Sequence, residues 1–259
     1  MKFKSKSEVD VPEFQDIMTT EVAYFEDFEK EEDAKRFCED RDITYLPLKS
    51  NNLLVREFKN GYFIETELRD NQKIVPTKKI FEKDVLELFE KNRVLFVFGN
   101  GKLEGIVHYS DYNREPVYIY LYSQILNFEK SLREILVKNG LKNEDMIEYF
   151  KRKASEGESN FKEKLDYIEK SRETLKSFSE FQFFYLSDLI YLLDHHGLMK
   201  IDRRANDLRN YVMHSKDFVE HKDFRVLPSL YEFSSFKRFF NLVLTFYEEK
   251  EKASKCLNS

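Results

Sequence analysis

The chain has 259 residues, 43 of them basic and 48 acidic, for a formal net charge of −5; this excludes a protein that coats nucleic acid by bulk attraction and leaves room for a local basic cleft. Hydrophobic residues make up 41% and aromatic residues 15%, with 25 Phe, 15 Tyr and no Trp, which excludes disorder of the whole chain and assigns the bulky core positions to Phe and Tyr. The length exceeds the usual single domain, and the hydrophobic pattern changes type near the midpoint, so two domains are expected, over 1–115 and 116–259.

At the amino end, Met1-Lys2-Phe3-Lys4-Ser5-Lys6 is basic but has no apolar run behind it. The most apolar later stretch, Phe181 to Leu193, is interrupted by Ser187 and Asp188 and is too short to span a bilayer. Cys38 and Cys256 lie far apart, without Cys or His at metal-ligand spacing, and read as free thiols of a reducing compartment. The expectation is a soluble cytoplasmic protein with no membrane segment and no metal site.

From Ile17 to about Asp111, short β-type runs alternate with one-sided helical patterns. Ala34, Phe37 and Cys38 form an apolar helical stripe, followed by the strand residues Ile43, Tyr45, Leu46 and Leu48. Val85, Leu88 and Phe89, followed by Val94 to Phe98, repeat that order, so the half reads as an internal duplication. Asn60-Gly61 and Asn100-Gly101 supply the positive backbone angles of tight hairpins. Beyond Pro116 the pattern turns helical: Leu121, Ile125, Phe128, Leu132 and Ile135 share one face, and Asn139-Gly140 is a stop. Further helices are expected approximately over 144–154, 160–176, 181–195, 202–215 and 234–250, forming a bundle. The expected class is α+β, an α/β half followed by an all-α half.

In the first half, Asp16-Ile17-Met18-Thr19 leads into Val22, the helix around Ala34 to Cys38 and the ending Leu46-Pro47-Leu48. A second copy shows the segment Val75 to Ile80, a helix around Val85 to Phe89, and Gly101-Lys102-Leu103-Glu104-Gly105-Ile106-Val107 running into Ser110-Asp111. This pair resembles cystathionine-β-synthase (CBS) domains, which join into one module that commonly binds adenine nucleotides. The resemblance implies an adenine nucleotide as a regulatory ligand. It gives Asp111 the role of accepting hydrogen bonds from ribose hydroxyls and puts His108 where the family has a phosphate-binding hydroxyl. Read from the residues alone, Asp111 equally caps the turn after the strand, with His108 on the surface.

In the second half, Leu208-Arg209-Asn210-Tyr211-Val212-Met213-His214 resembles the Arg-x4-His signature of HEPN domains, and Leu126-Asn127-Phe128-Glu129-Lys130-Ser131-Leu132-Arg133 resembles their opening helix. Asn210 and His214 share a helical face, and Arg209 lies one step round. The resemblance implies a homodimer that cleaves RNA without a metal: His214 as general acid or base, Arg209 holding phosphate, Asn210 orienting one of them, and Glu129 supporting the pair. It also implies a role in stress or antiviral defence. Short motifs of this kind recur by chance in charged helices, and the bland account of His214 is a cation at a helix C-terminus. The rival function is a non-catalytic nucleotide-sensing or dimerisation scaffold that binds a partner or RNA. His195-His196, before Gly197, reads as a favourable positive end to a helix rather than as a metal site.

Overall fold

Two Asn-Gly pairs fix the geometry of the α/β half. In the computed structural model, which describes residues 9–171, 179–214, 216–219 and 228–258 (backbone alone for 228–231), Asn60 and Gly61 take φ of 53° and 84°, and Asn100 and Gly101 take 53° and 75°. Each pair closes a hairpin. The first joins β2 (Leu54–Lys59) to β3 (Tyr62–Glu67), with Lys59 opposite Tyr62. The second joins β5 (Val94–Gly99) to β6 (Lys102–His108), with Gly99 opposite Lys102. Such turns match the twist of antiparallel strands because both central residues are left-handed.

The chain divides into two compact units, one of Asp10–Val117 with Phe218–Lys237, the other including Tyr118–Asp217 and Arg238–Ser259. The class is α+β: the first unit holds two small sheets, and the second is helical among its described residues.

In the first unit, helix α1 (Phe14–Ile17) precedes α2 (Glu31–Arg41) and strand β1 (Tyr45–Pro47), which pairs antiparallel with β2. Helix α3 (Lys83–Lys91) precedes β5 in the same way. The order helix, strand, antiparallel partner therefore occurs twice, but the third strands differ. β3 is added through its hairpin, whereas β4 (Lys73–Ile74) lies ahead of α3 and pairs parallel with β5. The strand β4 ends before Val75, which is exposed, and Pro76 has no N–H to donate to a ladder. Ala34 and Cys38 of α2 and Leu46 of β1 form one core cluster, ringed by Phe28, Phe37, Phe58 and Phe63. Cys38 is a thiol, and burial pushes it up to about 11. Val55, Leu68 and Phe96 form a second cluster that joins the two sheets.

Gly105 is set by close approach. A Cβ there would stand 2.8 Å from the carbonyl oxygen of Thr19, whose backbone pairs with Ile106 in both directions, at 2.8 and 3.0 Å. The glycine of the Gly-Ile-Val run therefore already has a structural reason.

The helical unit is built on α4 (Glu115–Lys138), whose Leu121, Ile125, Phe128, Leu132, Ile135 and Leu136 are buried. Gly140, at φ 76°, follows its end. Next come α5 (Asn143–Ser155), α6 (Ser159–Lys170), α7 (Leu186–His195), α8 (Arg204–Met213) and α9 (Pro228–Asn258). The expected helix over 160–176 runs partly outside the described residues. That over 181–195 starts at Leu186 instead, because Phe181 is left-handed at φ 63° and the chain turns through to Phe184. Among the described residues, no helix is long and apolar enough to cross a membrane.

Candidate functional site

Helix α8 starts where Asp202 accepts the Arg204 backbone N–H at 2.9 Å and the Arg204 guanidinium at 2.6 and 3.0 Å. These bonds, the side-chain one foremost, hold the Asp202 carboxyl down to about 2 from 3.8. A carboxylate depressed by folding stabilises above its unfolded value and loses that contribution as pH falls through its folded value. Asp202→Asn is therefore expected to flatten the acid limb of a melting-temperature profile between pH 3.8 and about 2, by a small amount because the pair is solvent-screened. An unchanged profile would show that the cap contributes nothing to folding.

Ala205, Leu208 and Val212 of α8 are buried. At 100° per residue, Arg209 lies on the border of that face, while Asn210 and His214 point away from it. Arg209 accordingly meets the core edge. Its Nε is buried, has no hydrogen bond, and stands 3.9 Å from Oε1 of Glu129. One terminal nitrogen donates to Asn210 Oδ1 at 3.4 Å, and the guanidinium lies 5.7 Å from the Tyr185 ring centre. Glu129 is 7% exposed, and its other oxygen accepts from Arg133 at 2.9 Å. Arg133 also donates through Nε to the Phe181 carbonyl at 3.2 Å, while the Phe181 N–H donates to Asn143 at 2.8 Å. The left-handed backbone of Phe181 is thereby held from both sides.

The structure thus brings Glu129, Arg209 and Asn210 together. His214 follows the last turn of α8 and is exposed; its backbone N–H donates to the Asn210 carbonyl at 3.2 Å. Among the described residues its ring has no hydrogen-bond partner. Sequence reasoning missed Arg133, Tyr185 and the strained Phe181. The available signal was the i,i+4 spacing of Glu129 and Arg133.

In the α/β unit a cavity of about 350 Å³ opens beside β1, β5 and β6, lined among others by Arg41, Thr44, Tyr45, His108 and Ser110. Phe96 and Ile106 add apolar wall, and the Tyr45 ring meets Phe96 edge-on at 6.0 Å. His108 is part-buried, and its Nδ1 lies 2.7 Å from Ser110 Oγ and accepts the Ser110 N–H at 3.2 Å. Asp111 is not part of that lining. Its carboxylate accepts the His108 backbone N–H at 2.8 Å, capping the 3₁₀ turn Tyr109–Asn113, and pairs with Arg114 at 2.8 Å. Burial, the largest influence, raises the Asp111 carboxyl above its ordinary value. Arg114 in turn donates to the Met18 carbonyl at 2.8 Å and to Thr19 Oγ1 at 2.6 Å. Among the described residues no group of His, Cys, Asp and Glu is arranged to hold a metal ion.

Comparison with family models, curated proteins and solved structures gives no match for this chain.

Proposed function

We propose that the chain is a homodimeric endoribonuclease of HEPN type, with its chemistry on α8 and with a CBS-like α/β unit that takes an adenine nucleotide as regulatory ligand. The observation that carries this reading is Arg209, held against a buried carboxylate that Arg133 anchors, beside Asn210 and on the helix that ends in exposed His214. A positioned guanidinium and an exposed imidazole are the two groups that metal-free RNA cleavage needs. The RNA 2′-oxygen bonds to phosphorus as the bond to the 5′-oxygen breaks, leaving a 2′,3′-cyclic phosphate and a 5′-hydroxyl. One His214 takes the 2′-hydroxyl proton and the partner's imidazole returns a proton to the leaving oxygen, while Arg209 neutralises the phosphorane charge. Glu129 and Arg133 are positioning residues.

A second copy is favoured by Ile119, Tyr122 and Leu126, which are 51%, 47% and 42% exposed on one stripe of α4. Arg133 lies within roughly 15° of that stripe's centre, and Glu129 within roughly 55°, at 100° per residue. Pairing through the stripe would bring two α4 helices, and the ion cluster beside each, to one seam. In the α/β unit, His108, Ser110 and Arg41 are the polar groups that would meet phosphate, and Tyr45 and Phe96 would flank a base. Asp111 is tied up as a cap, and the carboxylates that do line the cavity, Asp42 and Glu232, already accept from Arg93 at 3.2 Å and from Tyr109 at 3.4 Å, so the nucleotide is held from its phosphate end. Such a ligand regulates cleavage only through different affinities for two states of the dimer.

The test is cleavage of mixed RNA in the presence of a chelator, with and without adenine nucleotide. His214→Ala is expected to lower the rate by roughly 10²-fold or more, with Arg209→Ala following it. Cleavage indifferent to His214 would transfer the reading to a non-catalytic nucleotide-sensing or dimerisation scaffold, which the lack of a hydrogen-bond partner for the His214 ring among the described residues favours.

A further inference from the structure

A second cavity, of about 360 Å³, lies in the helical unit among α5, the start of α6, α7 and the turn before α8. Its size is at the low end of the range for small-ligand sites, about 300–1,000 Å³. Arg152 and Arg203 line it; Arg152 reaches Glu156 Oε1 only through Nε, at 3.6 Å, and turns its two terminal nitrogens to His195. The terminal nitrogens of Arg152 stand 3.1 Å from Nε2 and 3.1 Å from Nδ1 of His195. A neutral imidazole has one lone pair to accept with and one N–H, so only one of those approaches can be a hydrogen bond. The other sets a guanidinium N–H against a ring N–H.

Protonation offers no escape, since burial foremost, and then Arg152, hold His195 below its ordinary value. His195 ends α7 as expected, but burial first and then the Arg152 cation at its edge disfavour its charged form. Two donors face each other there and lack an acceptor.

Arg203 completes the arrangement. It is exposed, lies 5.0 Å from the Tyr191 ring centre, and has no ion pair among the described residues. Lys153 and Glu158 neutralise each other at 3.1 Å, which leaves Asp194 as the one lining carboxylate without an ion pair among the described residues. Arginine over tyrosine also recurs six residues away on both helices, where Arg209 stands over Tyr185. At 1.5 Å per residue the two pairs are about 9 Å apart along the helix. That is about three nucleotides at the ~3.4 Å step of a stacked strand.

We propose that this cavity is a subsite for single-stranded RNA, in which Arg152 and Arg203 hold a backbone phosphate and Tyr191 stacks on a base about three nucleotides from the Arg209–His214 centre. The proposal rests on the ribonuclease reading and extends it along the substrate.

The test is anisotropy of a short, labelled mixed-sequence RNA on the full-length His214→Ala chain, so that binding is read without cleavage. Adding Arg152→Gln or Arg203→Gln is expected to weaken binding about 10-fold and to reduce the salt slope by about one. Tyr191→Ala is expected to weaken binding with the salt slope unchanged. Melting curves check that each variant is folded. RNA bound equally tightly by the Gln variants would overturn the subsite while leaving the ribonuclease reading intact. No RNA binding by the parent would overturn both. Free adenosine monophosphate lost in the variants, with RNA binding unaltered, would overturn the subsite in favour of a mononucleotide site.

Discussion

Glu129→Ala is expected to destabilise the helical unit by about 3 kcal/mol, the lower end of the range for removing one partner of a buried ion pair, and to abolish RNA cleavage. Glu129 has 9% of its side chain exposed and sits between Arg133 at 2.9 Å and Arg209 at 3.9 Å, which are 21% and 20% exposed. Without the carboxylate, two guanidiniums remain at the core edge with no anion between them. They retain some access to water, which keeps the cost from the top of the range. The double variant Glu129→Leu with Arg133→Met separates stability from positioning. Replacing a buried pair by apolar residues of similar volume is often neutral or better, so its melting temperature should return towards that of the parent. Cleavage should stay low, because Arg209 still lacks the carboxylate that sets its Nε. Thermal melts and single-turnover rates on the same samples decide it. Recovery of both would leave Glu129 a purely structural residue.

How far this site was legible can be seen on α4 itself. Its buried face declared itself through apolar residues at helical spacing, and Asn139-Gly140 marked its end. Glu129 with Arg133 was not legible as a buried pair, because Lys130 with Glu134 has the same i,i+4 spacing and is 72% and 52% exposed. One step of helix rotation separates a positioning contact from a solvated one, and neither charge nor spacing records it. Asp111 shows a similar degeneracy. The spacing from His108 to Asp111 suits a ribose-binding carboxylate and also suits a carboxylate that folds back on a backbone N–H three residues earlier, and the structure has the second. Both hairpins were legible, since Asn-Gly leaves little else for the backbone to do. The parallel strand β4 was not, because two residues are too few to show a period.

Phe236→Ala is expected to cost the α/β unit about 3–5 kcal/mol, the range for truncating a fully buried aromatic. Nothing in the sequence pattern ties this residue to the sheets more than a hundred positions earlier. Yet Phe236 is 0% exposed, and its ring centre lies 4.9 Å from that of Tyr112, 5.2 Å from Phe89 and 5.9 Å from Tyr109. The same returning segment exchanges two hydrogen bonds of 2.9 Å between Asn113 and the Val219 backbone. The fragment 10–117 alone would therefore expose Phe89, Tyr109 and Tyr112, which are at most 3% exposed in the whole chain. It is expected to melt without a cooperative transition and to bind a dye for apolar surfaces. Phe236→Leu, which refills most of the space, should lose much less than the alanine variant. A fragment 10–117 that melts as sharply and as high as the α/β unit of the full chain would show that the segment 218–237 is an accessory, and that the aromatic cluster can close without Phe236.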